Sequence, residues 1–190
     1  MALSDLGLLI PLCCVGLVVL GVLGFVVMIY NRLITLRNRV NNAWAQIDVQ
    51  LKRRYDLIPN LMETVKGYMT HERETLENVT KYRAMIATGG VAEKAAADNM
   101  LSSTLKTLFS VAENYPDLKA NQNFMMLQEE LAGTENKISY IRTAYNDSVL
   151  EYNTAIELFP NNLLAGPLGF KPSEYFKVEG AEREAPKVKF

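Results

Sequence analysis

The feature that most constrains this chain is an uncharged apolar run close to its start. Residues 6–30 read LGLLIPLCCVGLVVLGVLGFVVMIY and contain no Asp, Glu, Lys or Arg. As an α-helix, a run of this length extends about 37 Å, whereas the hydrocarbon core of a bilayer is about 30 Å thick. The run therefore predicts a tilted transmembrane helix, and we expect residues 1–31 to comprise a short tail and this span.

A cleaved signal peptide is the alternative explanation for such a run. A signal peptide has a basic amino-terminal region and a shorter apolar core. Residues 1–5 carry no Lys or Arg, and Leu12 stands before Cys13 where a lipoprotein signal has a small residue. The sequence therefore favours a retained anchor, in which Cys13 and Cys14 are small apolar residues in lipid.

The charges on the two sides of the span predict its orientation. The amino-terminal side offers only Asp5, whereas the other side begins with Arg32, Arg37 and Arg39. Because positively charged flanks stay in the cytoplasm, we expect the amino terminus outside and the large carboxyl-terminal part inside. Tyr30 and the three arginines are the residues that we expect to contact lipid headgroups.

Beyond the span, the apolar residues recur with a helical period. Their spacing is three or four residues, except for one gap at Glu72 or Arg73 and a second between Val79 and Ile86, and the phase does not change at Pro59. This stripe predicts helix on both sides of the proline. Its members are Leu33, Leu36, Val40, Trp44, Ile47, Leu51, Tyr55, Ile58, Met62, Val65, Met69, Leu76, Val79 and Ile86.

Two structures are compatible with Pro59. One long helix can bend there, because proline removes a backbone donor and crowds the carbonyl four residues earlier. Alternatively, one helix ends near Arg54 and another begins, with Asp56 as its cap and Pro59 in its first turn. The continuous stripe and the absence of a nearby glycine favour the bend.

Two further helices are predicted after the turn at Gly89-Gly90. The second of them, which Asp117 is placed to cap, runs to about Phe159. Amphipathic helices bury their stripes against each other, and short connections make neighbours antiparallel. The predicted fold class is all-α: one transmembrane helix, then an elongated antiparallel bundle over residues 32–160. The bundle has three long helices, or four if the chain breaks near Pro59.

The chain after the bundle divides into two parts. Residues 161–176 contain prolines and glycines that oppose regular structure, yet they are too apolar for a free linker. We expect this irregular segment to pack on the bundle, with a docking strip for a partner or for lipid as the alternative. Residues 177–190 are highly charged and are expected to be disordered.

Three stretches carry a resemblance to a known family. NAWAQIDVQLKRRYDLIPNLMETVKGY, FMMLQEELAGTENKISYIRTAYNDSV and YNTAIELFPNN are similar to the LemA family of bacterial membrane proteins. The resemblance covers nearly all of the chain beyond the span. It implies one amino-terminal anchor, an α-helical bundle, the bacterial plasma (inner) membrane and no established enzymatic activity. Some relatives are associated with magnetosome membranes, which implies a role in membrane organisation.

The sequence offers no metal or cofactor site. The single histidine, His71, opens HERET, which has Thr75 where a metalloprotease helix needs its second histidine. No phosphate-binding Gly-x-x-x-x-Gly-Lys loop is present, and both cysteines lie in the span. The net charge of -1 does not favour nucleic-acid binding. We therefore predict that the protein is not an enzyme and uses no cofactor.

Several charged or polar residues lie on or beside the apolar stripes and are predicted to form a structural polar layer. Buried charges need partners, and such layers fix the register of self-similar helices. We expect one arginine of the Arg53-Arg54 pair to meet Glu135, and a second ion pair to join the first and last helices. The alternative is that these side chains reach water at the edge of the stripe. The predicted members are Arg53, Arg54, Asp56, Asn60, Glu63, Glu135 and Arg142, with Asp56 or Glu63 as the partner of Arg142.

Together these features predict a membrane-anchored scaffold that assembles with copies of itself and organises membrane or recruits partners. Its expected contacts are membrane lipid and further copies of the chain, because an anchor raises local concentration. The alternative is an accessory subunit or regulator of a membrane protease or transporter. Light scattering in detergent separates the two, because only self-assembly gives large particles without a partner.

Overall fold

The computed structural model describes the backbone of residues 2–69 and 71–177, and side chains from residue 15 onward. Within this part of the chain there are helices but no strands, which confirms the predicted all-α class. The helices are α1 (Ala2–Lys66), α2 (Arg73–Thr88), α3 (Val91–Ala112), α4 (Pro116–Lys119), α5 (Gln122–Glu157) and α6 (Asn161–Ala165). Apart from Lys177, the tail predicted to be disordered, residues 177–190, lies outside the described residues.

The chain divides into two compact units. The anchor unit contains Met1–Val40 and Leu150–Ser173, and the bundle unit contains Asn41–Val149 and Glu174–Phe190. Helices α1 and α5 contribute residues to both units.

The first part of α1 is long and apolar enough to cross a membrane, and it is the one helix of this kind in the part of the chain that the structure describes. Its large apolar side chains over residues 15–28 are exposed, including Leu17 at 70% and Met28 at 66%, except for the partly buried Val26. Burial begins at Ile29 and continues at Leu33 and Leu36. The surface of α1 therefore changes, within one helical turn, from one suited to lipid to one covered by protein.

Pro59 lies inside α1, so the alternative in which it opens a new helix is wrong. Proline has no N–H to donate to the carbonyl of Tyr55, four residues earlier. Nε of Arg83 in α2 donates to this carbonyl at 2.9 Å. The same guanidinium lies over the Tyr55 ring, 3.7 Å from its centroid. The proline thus leaves free a backbone acceptor that the next helix uses.

The first predicted stripe breaks at a place that was not predicted. Helix α1 ends at Lys66 and α2 begins at Arg73, whereas the apolar period predicts helix through this region. The Met69 amide still donates to the Val65 carbonyl at 2.9 Å, after which the chain leaves the helical path. Gly67 disfavours helix, and the stripe has no apolar residue at 72 or 73 to bury, so nothing here favours continued helix.

The start of the last long helix also differs from the prediction. Asp117 belongs to the separate short helix α4 and does not cap α5. Instead, Oδ1 of Asn121 accepts hydrogen bonds from the amides of Asn123, at 2.9 Å, and Phe124, at 3.2 Å. Asparagine is among the best helix caps because its side chain satisfies these first, otherwise unpaired amides.

Part of the segment predicted to be irregular is helical. Helix α6 spans Asn161–Ala165, with Pro160 immediately before its first turn. Proline tolerates the start of a helix because the first amides have no partner within it. The remaining residues of the segment, 166–176, are turn or irregular chain, as predicted.

The buried face of α1 in the bundle unit carries a charged residue. Its buried positions alternate in steps of three and four, and Tyr55 and Met62 of the predicted stripe lie beside this face, only partly buried. The buried series is Ile47, Leu51, Arg54, Ile58, Leu61 and Val65. On α3 the corresponding series is Asp98, Leu101, Leu105, Leu108 and Ala112. One arginine and one aspartate therefore occupy core positions.

The Tyr55 carbonyl generates a testable prediction. The variant Arg83→Met removes the group that donates to the half-buried Tyr55 carbonyl. We expect the free energy of unfolding to fall by about 1 to 2 kcal/mol. In a Pro59→Ala background the loss should be much smaller, because the new amide at residue 59 donates to Tyr55. Urea unfolding of the full chain in detergent, followed by the fluorescence of the single Trp44, measures both. The exposed Lys81→Met on α2 is the control, and equal losses in the two backgrounds would contradict this explanation.

Candidate functional site

Arg54 lies at the centre of a buried ion network in the bundle unit. Its side chain is 2% exposed, and its Nη1 donates to Oδ1 of Asp98 at 2.6 Å. The same nitrogen donates to Oγ of Ser102 at 2.9 Å, while Nη2 lies 2.5 Å from Oε2 of Glu135. The Ser102 hydroxyl donates to that Glu135 oxygen at 2.7 Å. The network therefore joins α1, α3 and α5.

The electrostatics of this network centre on Asp98. Burial raises the pKa of the Asp98 carboxyl above its ordinary value of 3.8, and the charge of Arg54 opposes this rise. The nearby charge of Glu135 raises the pKa further, and Arg142 lowers it. The two carboxylates, Asp98 and Glu135, both pair with the one guanidinium of Arg54. Ion pairs therefore hold the network together. Because the pKa of Asp98 is raised, its carboxyl binds a proton more readily in the folded chain than in the unfolded chain.

The structure brings together some members of the predicted polar layer and not others. Arg54 meets Glu135, one of the two expected pairings, whereas Arg53 is half-exposed and pairs with Glu130 at 2.5 Å. Arg142 is partly buried, and its charge acts on Asp98.

The other predicted members lie outside the buried network. Asp56, Asn60 and Glu63 are exposed, because the buried face of α1 runs through Arg54, Ile58 and Leu61 instead. The role of the network in fixing helix register stays a prediction.

Asp98 and Ser102 were not predicted as members, although the sequence holds a signal for Asp98. It lies three residues before Leu101 and seven before Leu105, which places it on the apolar face of α3. A carboxylate at such a position requires a buried partner. Ser102 gives no comparable signal, because serine is common on either side of a helix.

A second feature is a pair of asparagines that hold extended backbone. In the bundle unit, Nδ2 of Asn146 donates to the Phe176 carbonyl at 3.0 Å, and its Oδ1 accepts from the Phe176 amide at 2.9 Å. In the anchor unit, Asn153 makes the same two bonds to Ser173, at 3.0 and 2.8 Å. Each side-chain amide therefore satisfies both backbone groups of one residue, as a neighbouring β-strand would.

The residue before each asparagine is a tyrosine that extends the same contact. The Tyr145 hydroxyl donates to the Glu174 carbonyl at 2.7 Å, and the Tyr152 hydroxyl donates to the Lys171 carbonyl at 2.9 Å. Burial, with a smaller effect of the Glu174 charge, raises the pKa of Tyr145 to about 12, so its phenol remains a donor at neutral pH. We call each tyrosine with its following asparagine a Tyr-Asn clamp.

The two clamps recur along the chain. Their asparagines are seven residues apart on α5, and the residues they hold, Ser173 and Phe176, are three apart in the sequence. The repeat AYNDSVLEYN is visible in the sequence. It was not recognised as a binding feature, because an extended partner has no helical period.

The end of the apolar span lies beside the segment after α6. The Tyr30 and Phe170 rings meet edge to face, with centroids 5.8 Å apart. The Arg37 guanidinium lies 5.3 Å from the Phe170 centroid, and Arg39 pairs with Glu151 at 3.5 Å. Arg32 is exposed, as are Tyr30, Arg37 and Arg39. These four side chains are accessible to lipid headgroups, and their contact with lipid stays a prediction.

Among the described residues, no group of three or more His, Cys, Asp or Glu side chains is placed to hold a metal ion. His71 is exposed in the connection before α2 rather than on a helix.

The fold and these contacts define a class: all-α proteins with one amino-terminal helix suited to a membrane and a bundle that continues from it. Comparison with known sequences gives the family. The LemA family model matches residues 43–190. The chain therefore belongs to the LemA family, which confirms the resemblance seen in its motifs.

Individual relatives agree with this assignment. Protein LemA of Metamycoplasma hominis is 28% identical over 155 residues, which cover 80% of this chain and 71% of that protein. Magnetosome protein MamQ 2 of Paramagnetospirillum magneticum is 25% identical over 193 residues, covering 86% of this chain and 71% of that protein. Magnetosome protein MamQ of Magnetospirillum gryphiswaldense is 24% identical with the same coverage. None of these names is that of an enzyme.

The ion network generates a prediction about stability. The variant Arg54→Met leaves the carboxylates of Asp98 and Glu135 without the guanidinium that they share. We expect the free energy of unfolding to fall by about 3 to 5 kcal/mol. Asp98→Asn should cost less, because Arg54 keeps Glu135. Urea unfolding in detergent, followed by Trp44 fluorescence, measures both. The neighbouring Arg53→Met is the matched control and should cost less than about 1 kcal/mol, because its ion pair is half-exposed. A similar cost for the two arginine variants would contradict the network.

The raised pKa of Asp98 predicts the direction of a pH effect. The folded chain binds this proton more tightly than the unfolded chain, so the carboxyl contributes more stability as pH falls through its folded pKa towards 3.8. The wild type should therefore gain stability relative to Asp98→Asn as the pH is lowered over this window. Unfolding midpoints of both proteins at a series of pH values test this, and a gain in the opposite direction would contradict it.

The clamps generate a prediction about local opening. Asn146→Ala removes two hydrogen bonds to Phe176, and we expect faster amide exchange at residues 174–176 but unchanged exchange at 171–173. Asn153→Ala should show the reverse pattern. Hydrogen–deuterium exchange of the full chain in detergent resolves the two segments, and each variant is the control for the other. Unchanged exchange at Phe176 in Asn146→Ala would show that the clamp does not hold the segment.

Proposed function

We propose that this protein is a membrane-anchored scaffold without enzymatic activity. In this proposal α1 crosses the bacterial plasma membrane once, with the bundle on the cytoplasmic side. Copies of the chain meet side by side and thereby organise membrane or recruit further partners.

The observation that carries this proposal is the continuity of α1. One helix contains both the exposed apolar residues 15–28 and the buried face that begins at Ile29 and runs to Val65. No linker separates the apolar run from the folded part. Such a chain is suited to presenting a surface close to the membrane. Two relatives named as magnetosome proteins support a role in membrane organisation for this chain too.

The orientation rests on the charges that follow the span. Arg32, Arg37 and Arg39 are all exposed on α1 just after the apolar run. Positively charged residues within a short distance of a span favour the cytoplasmic side. They also attract the anionic lipids of that leaflet.

The proposed surface for self-association lies on α5 in the bundle unit. Met126 is 65% exposed and Tyr140 is 80% exposed. They are two heptads apart, so they share one face of the helix. Gly133 lies midway between them, and a Cβ placed there would meet no atom within 4 Å, so the face is open at its centre. Methionine adapts to irregular contacts, and tyrosine is enriched at protein interfaces.

A second copy of the same chain is the partner that we propose for this face. Copies anchored in one membrane are confined to a plane and share one orientation. Their effective concentration is therefore high, and weak contacts between exposed apolar side chains are sufficient for assembly.

Light scattering of the purified full chain in detergent tests this proposal. We expect the wild type to form particles with the mass of several chains. The double variant Met126→Glu and Tyr140→Glu should have the mass of one chain, because the acidic side chains repel across a symmetric contact. Gln128→Glu adds one acidic side chain at another exposed position of α5 and should assemble like the wild type.

A wild-type species with the mass of a single chain would contradict self-assembly. If that species gained mass only when a membrane protease or transporter was added, the accessory role would be supported instead.

A further inference from the structure

The turn that follows α5 in the anchor unit exposes large apolar side chains. Residues 158–170, LFPNNLLAGPLGF, contain no charged residue. Leu158 is 57% exposed, Phe159 is 78%, Leu163 is 64% and Leu168 is 40%. A cluster of exposed apolar side chains in one short segment is typical of a contact with a partner or with lipid.

The exposed side chains belong to a segment with a defined backbone. Nδ2 of Asn161 donates to the Ala155 carbonyl at 2.8 Å, and the Phe170 amide donates to the Ala165 carbonyl at 2.9 Å. Ala165 and Phe170 are buried and thus fill the core beneath the turn. The side chains of Leu158, Phe159, Leu163 and Leu168 remain exposed on the outer side of the turn.

The turn lies next to the end of the apolar span. Phe170 contacts Tyr30, the last residue of the uncharged run, with ring centroids 5.8 Å apart. On α1, Met28 is exposed and Ile29 is buried, so the covering by protein begins at this level. The headgroup region of a bilayer is about 5 to 8 Å thick on each side. A segment in contact with Tyr30 is therefore within reach of that region.

We propose that residues 158–168 bind the surface of the bilayer and form a second membrane contact beside the span. Leu158, Phe159, Leu163 and Leu168 enter the boundary between headgroups and acyl chains, as the apolar face of an interfacial helix does. The exposed cations Arg32, Arg37 and Lys171 of the same unit are available to anionic headgroups.

We infer that lipid is the partner of this surface, because the turn packs against α1 at the end of the apolar run. The contact between Phe170 and Tyr30 is within one chain, so it places the turn beside lipid whether or not a partner is present. Exposed apolar residues of α1, including Val27 and Met28, come just before Tyr30 in the chain. This inference rests on the proposed anchoring of α1, but it does not depend on self-assembly.

Depth-dependent fluorescence quenching tests the proposal with the full chain in vesicles. In a Cys13→Ser, Cys14→Ser background, a fluorophore is attached at Leu163→Cys or, as a second position, at Phe159→Cys. The vesicles contain phosphatidylcholine and phosphatidylglycerol with bromine on the upper acyl chain. We expect several-fold stronger quenching by bromolipid at both positions than at Val49→Cys. Val49 is a matched control because it is 62% exposed on α1 but about 28 Å along the helix from Tyr30.

Aqueous iodide provides the complementary measurement. The labels at 159 and 163 should be shielded from iodide, whereas the label at 49 should be accessible. Labels at 159 and 163 that respond like the one at 49 would overturn the proposal. Shielding from both iodide and bromolipid would also overturn it, because the turn would then be covered by protein.

A label at Val22→Cys, an exposed residue of the span, separates this inference from the anchoring on which it rests. Quenching by bromolipid at 22 but not at 163 would remove the second membrane contact and leave the anchor. Absence of quenching at 22 would contradict the anchoring of α1, and the proposed function and this inference would both fail.

Discussion

The rest of the structure depends on one constraint: the two parts of α1, a single unbroken helix, need different surroundings. Over residues 15–28 the side chains of α1 are apolar on all sides and exposed, which is favourable only in an apolar solvent. From Ile29 onward only one face is apolar, and the other elements of the protein cover it. The hydrogen bonds of the helix backbone continue through this change, so the span and the first bundle helix are one element.

Buried ion pairs join three helices of the bundle unit. Stripes of leucine and isoleucine look alike after every heptad, so apolar burial alone tolerates a shift of register. We expect the pairing of Arg54 with Asp98 and Glu135 to favour one register, because a shift would leave charges buried without partners. The bond from Arg83 to the Tyr55 carbonyl acts in the same way, and it exists because Pro59 leaves that carbonyl unused within α1. We infer that these contacts select one arrangement among several of similar apolar burial.

Much of the fold could be predicted from the sequence, because helices and membrane spans are encoded in local patterns. The uncharged run, the three- and four-residue steps and the Gly89-Gly90 turn were sufficient for the apolar amino-terminal helix, the helical class and the boundary between α2 and α3. The break between α1 and α2 was missed because a single skipped step was interpreted as a gap in a continuous stripe. The choice of Asn121 over Asp117 as cap was missed because both are good caps, and only the position of the helix start decides between them.

The candidate site was harder to predict because its contacts join residues that are distant in the chain. Arg54 and Tyr55 are neighbours, and the apolar period alone favoured Tyr55 for the core position. Only the presence of Asp98 and Glu135 on other helices makes burial of Arg54 acceptable. The Tyr-Asn clamps bind backbone groups 19 to 30 residues further along the chain, and nothing in the local sequence of those groups identifies them as partners.

The most direct test of the account is amide exchange along α1 in the full chain reconstituted in bilayer nanodiscs. The account predicts slow exchange without interruption from residue 15 to the last turn of the helix near Lys66, including residues 30–40 where the apolar run ends. A stretch of rapidly exchanging amides within residues 30–40 would contradict it, because the span and the bundle would then be separate helices joined by a flexible linker.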